Sequence, residues 1–105
     1  MALTRDFKDT VKNRMERDPD FREELLKEGI ECLLRGDMGT GKAISRDYIN
    51  ATIGFDALGT VTARSPKSLM RMLCPKGNPQ ARNIFEIIAY LQKQEGLQLK
   101  VHTER

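Results

Sequence analysis

A chain of 105 residues with a formal net charge of +3 can form one domain with a modest core, and its mild charge identifies no partner by itself. Hydrophobic residues make up 39% and charged residues 31%, which is typical of a soluble, helix-rich domain. No apolar run approaches the ~20 residues that a membrane-spanning helix needs, and the first residues lack the apolar core of a signal peptide. We therefore expect a cytoplasmic protein with no membrane partner.

The N-terminal part of the sequence predicts a helical hairpin over residues 1–36. In residues 5–17, apolar side chains recur every four positions among charged ones, which predicts a first helix: Phe7, Val11 and Met15. Asp18 is a preferred N-cap residue and Pro19 suits the first position of a helix. A second helix is therefore predicted from this point to about Arg35.

Residues 36–42 contain three glycines followed by a lysine, which is close to a phosphate-binding P-loop. That motif needs Ser or Thr after Lys42 to bind Mg²⁺, but the next residue is Ala43. It also needs a buried strand before the loop, where the pattern here is helical. We therefore interpret residues 36–41 as a glycine-rich turn that leads into a helix over residues 42–52.

The rest of the chain, residues 37–105, is predicted as a second unit that packs with the hairpin. Three more helices are expected over residues 55–62, 65–74 and 80–95. The segment 97–102 then alternates apolar and polar residues, which predicts a short strand with three apolar side chains on one face: Leu97, Leu99 and Val101. A lone strand leaves its backbone unpaired, so we expect it to pair with its copy in a homodimer. The predicted fold class is all-α, a small helical bundle with a C-terminal β-strand.

Residues 55–74 have the pattern of a helix-turn-helix. Gly59 is small enough for two helices to approach closely, and Leu58 faces the apolar side of the second helix. That side is formed by Leu69, Met72 and Leu73. Ser65 is a preferred N-cap and Pro66 can occupy the first turn. The sequence therefore predicts a helix-turn-helix over residues 55–74.

The second helix of this motif is expected to place cations and a hydroxyl on its outer face. No acidic residue occurs between Asp56 and Glu86, which suits a polyphosphate partner. Side chains of this helix could contact bases or phosphates in the major groove of DNA, and the following loop and helix start could clamp a phosphate. The predicted DNA-binding residues are Arg64, Ser65, Lys67, Ser68, Arg71, Lys76, Asn78 and Arg82. In the loop, Asn78 is expected to cap the next helix, although a plain capped turn explains the same residues.

Four segments carry a resemblance to phage-repressor (Cro-like, XRE) helix-turn-helix proteins: residues 46–55, 65–73, 77–79 and 96–101. Within that family, the chain is most similar to the addiction-module antidotes and prophage regulators related to HigA-type antitoxins. The resemblance implies a dimeric repressor that binds the operator of its own operon. It also implies a possible RelE-like toxin as a protein partner. The chain departs from the family pattern in the turn, where Ala63 and Arg64 replace a glycine and an aliphatic residue.

The alternatives are a stand-alone prophage-type regulator and a protein-interaction module that only sequesters a partner through the hairpin. The acidic residues of the hairpin fall on an exposed helix face, with Glu23 and Lys27 paired at i, i+4, and the single His102 has no evident partner nucleophile. Cys32 and Cys74 lie far apart without the paired spacing of a metal site. We therefore expect no enzyme activity, no cofactor and no metal.

Overall fold

The computed structural model describes residues 12–105. Phe7 and Val11 of the predicted first helix therefore lie outside the described residues. Six helices occur within the described part, in this order: α1 (residues 12–17), α2 (Pro19–Leu34), α3 (Met38–Ala51), α4 (Phe55–Thr62), α5 (Pro66–Met72) and α6 (Ala81–Glu95). The all-α class is confirmed.

The second helix begins where the sequence predicts. Asp18 is the N-cap of α2, and its carboxylate accepts a hydrogen bond of 3.2 Å from the backbone N–H of Phe21. Pro19 takes the first helical position, where a missing N–H is harmless. After the C-cap Arg35, Gly36 has a φ of +85°, a conformation that favours glycine and ends the helix.

The predicted glycine-rich turn is wrong over most of its length, because α3 begins at Met38 and includes Gly39 and Gly41. Asp37 caps this helix by accepting a hydrogen bond of 3.3 Å from the backbone N–H of Thr40. Gly41 allows α2 and α3 to pack closely: a Cβ there would lie 2.6 Å from Cδ2 of Leu33. The glycine therefore serves helix packing rather than a turn.

One apolar core joins the described helices. Side chains from α1 to α6 contribute to it: Met15, Leu26, Tyr48, Ile49, Phe55, Leu58, Leu69, Leu73, Ile87 and Leu91. Met15 and Leu26, from the predicted N-terminal hairpin, thus share a core with residues of the predicted second unit. None of the helices in residues 12–105 is both long and apolar enough to cross a membrane.

The predicted C-terminal strand is wrong, since no strand occurs in residues 12–105. After α6, residues 97–105 form neither a helix nor a strand, and hydrogen bonds hold the start of this segment to α6 of its own molecule. The backbone N–H of Leu97 donates to the carbonyl of Gln92 at 3.1 Å, and that of Leu99 donates to the side-chain oxygen of Gln92 at 2.8 Å. Both leucines pack against the core, whereas Val101 is 84% exposed. The alternating pattern reflects one buried face, and dimerisation through Leu97, Leu99 and Val101 stays a prediction.

Candidate nucleic-acid interface

The connection between α4 and α5 is a tight turn of three residues, 63–65. Ala63 adopts the left-handed conformation with φ 56° and ψ 39°, and its backbone N–H donates to the carbonyl of Gly59. A Cβ on Gly59 would lie 2.6 Å from the carbonyl oxygen of Arg64 and 3.3 Å from Cδ of Pro66. The predicted close approach at Gly59 is confirmed.

Helix α5 is anchored on one side and capped at its start, as predicted. Ser65 is the N-cap, and its hydroxyl accepts a hydrogen bond of 3.1 Å from the backbone N–H of Ser68. Leu69 and Leu73 are buried at 0% and 3% exposure and join the core cluster that contains Leu58 of α4. This helix of seven residues therefore owes its orientation to tertiary packing rather than to its own propensity.

The opposite side of α5 is polar and exposed. Lys67, Ser68 and Arg71 all lie in solvent there, and Met70 beside them is 46% exposed. Within residues 12–105, neither Lys67 nor Arg71 has a side-chain hydrogen bond or ion pair. Both cations thus project from the protein with their donors available to a partner.

Arg64 takes part in an internal network instead of lying open. Its Nη2 donates to the side-chain oxygen of Asn83 and to a carboxylate oxygen of Glu86, each at 2.8 Å. Arg82 also contacts Glu86, at 3.3 Å. The hydrogen bond from Arg64 and the charges of both arginines lower the pKa of Glu86. Arg64 therefore ties the turn to α6, and a phosphate contact from it stays a prediction.

The loop before α6 differs from the predicted capped turn. Lys76 and Asn78 are exposed, as a phosphate clamp would require. The expected capping role of Asn78 is wrong, because α6 begins at Ala81 with Gln80 as its N-cap. Pro79 accordingly lies before the helix and not in its first turn.

Two side chains of α3 fix the segment that follows α5, a role that the sequence pattern did not reveal. Lys42 is only 6% exposed, and its Nζ donates to the carbonyls of Pro75 and Gly77 at 3.3 and 2.7 Å. Arg46 donates to the carbonyl of Leu73 at 3.4 Å. The i, i+7 spacing of Lys42 and Ile49 on an amphipathic helix could have placed this lysine on the buried face.

The arrangement as a whole is a short, firmly held helix that presents two cations and a hydroxyl to solvent. Groups of this kind can donate hydrogen bonds to base edges or phosphate oxygens. Among the described residues, no three His, Cys, Asp or Glu side chains are grouped so that they could hold a metal ion. Comparisons with protein-family models, with curated proteins and with solved structures find no match to this chain.

Proposed function

We propose that this protein binds double-stranded DNA, with α4 and α5 acting as a helix-turn-helix and α5 entering the major groove. The observation that carries the proposal is the pair of exposed cations Lys67 and Arg71 on a helix whose other side is fixed by Leu69 and Leu73. A helix fits the major groove of B-DNA, where arginine can donate two hydrogen bonds to guanine.

Contacts outside α5 would position the protein on the phosphate backbone. Lys76 and Asn78 are exposed in the loop, and Arg82 lies in the first turn of α6, where the helix dipole favours an anion. Ser65 and Ser68 add hydroxyl groups at the start of α5. Such contacts contribute affinity and register but little sequence preference, which would come from α5.

The biological role that follows is a sequence-specific transcriptional repressor in the cytoplasm. The resemblance to antitoxins suggests in addition that the protein represses its own toxin–antitoxin operon and neutralises a RelE-like toxin. A stand-alone prophage-type regulator would use the same DNA-binding surface. A neighbouring gene for a small basic protein distinguishes these two roles, because the antitoxin role requires it.

The test is binding of the full chain to the DNA upstream of its own gene, measured by fluorescence anisotropy at several stated salt concentrations. We expect binding at least about 1,000-fold tighter than to an unrelated duplex at physiological salt. The double variant Lys67→Ala, Arg71→Ala should weaken specific binding by roughly 30-fold or more, since one good base contact alone contributes ~5- to 150-fold. If this double variant also loses contacts to phosphates, its affinity for DNA should decrease less steeply with added salt than that of the wild type.

The matched control is Lys27→Ala, Lys93→Ala, which removes the same charge from exposed positions on α2 and α6. This variant should bind the upstream DNA nearly as well as the wild type. Equal affinity of the wild type for the upstream and unrelated duplexes would contradict the proposal. So would equal losses in the two double variants. A protein-interaction module that only sequesters a partner would then be the better explanation.

A further inference from the structure

Helix α5 exposes a large apolar side chain among its polar ones. Met70 is 46% exposed, whereas Leu69 beside it is 0% exposed and belongs to the core. At 3.6 residues per turn, Met70 lies about 60° around the helix axis from Lys67 and about 100° from Arg71. Met70 therefore shares the exposed side of α5 with the two cations, and the proposed contacts of those cations leave it without a role.

The exposed groups of α5 are hydrogen-bond donors and one apolar side chain. Lys67 and Arg71 can only donate, and the hydroxyl of Ser68 can donate or accept. The seven residues of the helix, Pro66–Met72, include no carboxylate and no amide side chain. Adenine and cytosine each present an amino donor in the major groove, and amides and carboxylates are the side chains that pair with it. Helix α5 is therefore poorly equipped to read those two bases.

Guanine and thymine match the exposed groups of α5 better. Guanine presents two acceptors, N7 and O6, to a donor such as Arg71. Thymine presents the O4 acceptor beside a C5-methyl group, which is the one apolar group on the major-groove edges of the four bases. Lys67 and Met70 are three residues apart on the helix and are therefore neighbours on its surface. A donor beside an apolar side chain is complementary to the edge of thymine.

We infer that Met70 contacts the C5-methyl group of a thymine that lies close to a guanine bound by Arg71 or Lys67. Neighbouring side chains on a helix are ~5–6 Å apart at Cβ, and successive base pairs are ~3.4 Å apart, so the two bases lie within about two base pairs of each other. The flexible thioether of methionine can adjust to the position of the methyl group. This inference rests on the proposed function, because it assigns a base to the same helix.

The test begins with a duplex that the full chain enriches from a random-sequence pool. Each thymine of this duplex is replaced in turn by deoxyuridine, which removes the C5-methyl group and leaves the hydrogen-bonding groups in place. We expect one thymine near a guanine at which this change weakens binding of the wild type by about fourfold, the effect of one buried methyl-sized group. Fluorescence anisotropy at a single stated salt concentration measures each affinity.

Variants of Met70 show whether this side chain is the group that contacts the methyl. Met70→Ala should bind the thymine and deoxyuridine duplexes with equal affinity. Met70→Gln, which has a similar length but a polar end, should also lose the preference and covers the case in which the first variant misfolds. The matched control is Leu34→Ala, which shortens an exposed apolar side chain at the end of α2. This control should keep the fourfold preference for thymine.

The possible failures of this test are distinguishable. Specific binding of the wild type without any thymine that responds to deoxyuridine would overturn the inference and leave the proposed function intact. A deoxyuridine effect of the same size in the wild type and in both Met70 variants would overturn it as well, because the methyl group would then act through a different side chain or through the shape of the DNA. If the pool yields no enriched sequence, the proposed function and the inference both fail.

Discussion

At the scale of single residues, Ala63 determines the geometry of the α4–α5 turn at an energetic cost. Its φ of 56° lies in the left-handed region, where the Cβ of an L-amino acid crowds the backbone. Among the described residues it is the sole non-glycine with positive φ. A glycine would adopt this conformation without strain. The turn is thus held by its surroundings, including the hydrogen bonds from Arg64 to α6.

Replacement of Ala63 by glycine should stabilise the protein. The relief of left-handed strain is about 1–2 kcal/mol, while the greater freedom of glycine in the unfolded chain costs ~0.4–1 kcal/mol. We expect Ala63→Gly to raise the free energy of unfolding by up to about 1 kcal/mol in urea denaturation. Ala89→Gly, at an exposed position inside α6, is the control and should lower it by ~1 kcal/mol. Destabilisation by both variants would show that the turn carries no strain.

At the scale of the elements, glycines set the distance between α2 and α3. A Cβ on Gly41 would meet Leu33 at 2.6 Å, and a Cβ on Gly29 would meet Cγ2 of Ile44 at 3.0 Å. Each helix therefore contributes one glycine to the contact. Gly39 lies in the same helix as Gly41, but a Cβ there would have no neighbour within 4 Å. The two glycines of α3 thus have different physical roles.

Alanine substitutions at these two positions should have opposite effects on stability. Gly41→Ala gains helix propensity but overpacks the α2–α3 contact, and we expect it to lower the free energy of unfolding by ~1–3 kcal/mol. Gly39→Ala gains the same propensity without a clash and should raise it by ~0.5–1 kcal/mol. Thermal and urea denaturation of both variants check this. Stabilisation by Gly41→Ala would show that the contact between α2 and α3 accommodates the added methyl group without strain.

The elements that the sequence predicts well are those fixed by local chemistry. The Ser65 cap, the proline after it and the inward side of α5 follow from residue type and spacing, and all are confirmed. The glycines of α3 predict a turn in the local sequence because their packing partner, Leu33, lies on another helix. Alternation in the segment after α6 predicts a strand because it shows which side is buried and not which groups the backbone bonds to. The ion pair of Arg64 with α6 likewise depends on the fold.

At the scale of the whole molecule, one carboxylate joins three helices. Oε1 of Glu95 on α6 accepts hydrogen bonds from Nε of Arg22 on α2 at 2.8 Å and from the hydroxyl of Tyr48 on α3 at 2.7 Å. Burial alone would raise the pKa of Glu95, but these bonds and the charge of Arg22 hold it below its ordinary value. Burial, together with the hydrogen bond to Glu95, raises the pKa of Tyr48.

The stability of the protein should therefore decrease in acid. The pKa of Glu95 is lower in the folded state than its unfolded value of about 4.3, so its contribution is present above that pH and is lost as pH falls through the folded pKa. We expect Glu95→Gln to lower the free energy of unfolding by ~1–2 kcal/mol at pH 7 and to weaken its decline below pH ~4.5. Urea denaturation at several pH values measures both effects.

The control for this experiment is Glu104→Gln, which changes an exposed carboxylate in the C-terminal segment. Its stability curve should follow that of the wild type at every pH. If Glu95→Gln kept the full acid decline of the wild type, the three-helix contact would not be the source of the pH dependence.

The buried amine of Lys42, with Arg46 beside it, has a consequence for the kinetics of any encounter at α5. These side chains donate hydrogen bonds to the carbonyls of residues 73, 75 and 77. They therefore fix the conformation of the segment that follows α5 before a partner binds. A surface already in its final shape loses little conformational entropy on association. Its on-rate is then governed by diffusion and by long-range attraction to its cations, so added salt should slow the encounter while no slow ordering step follows it.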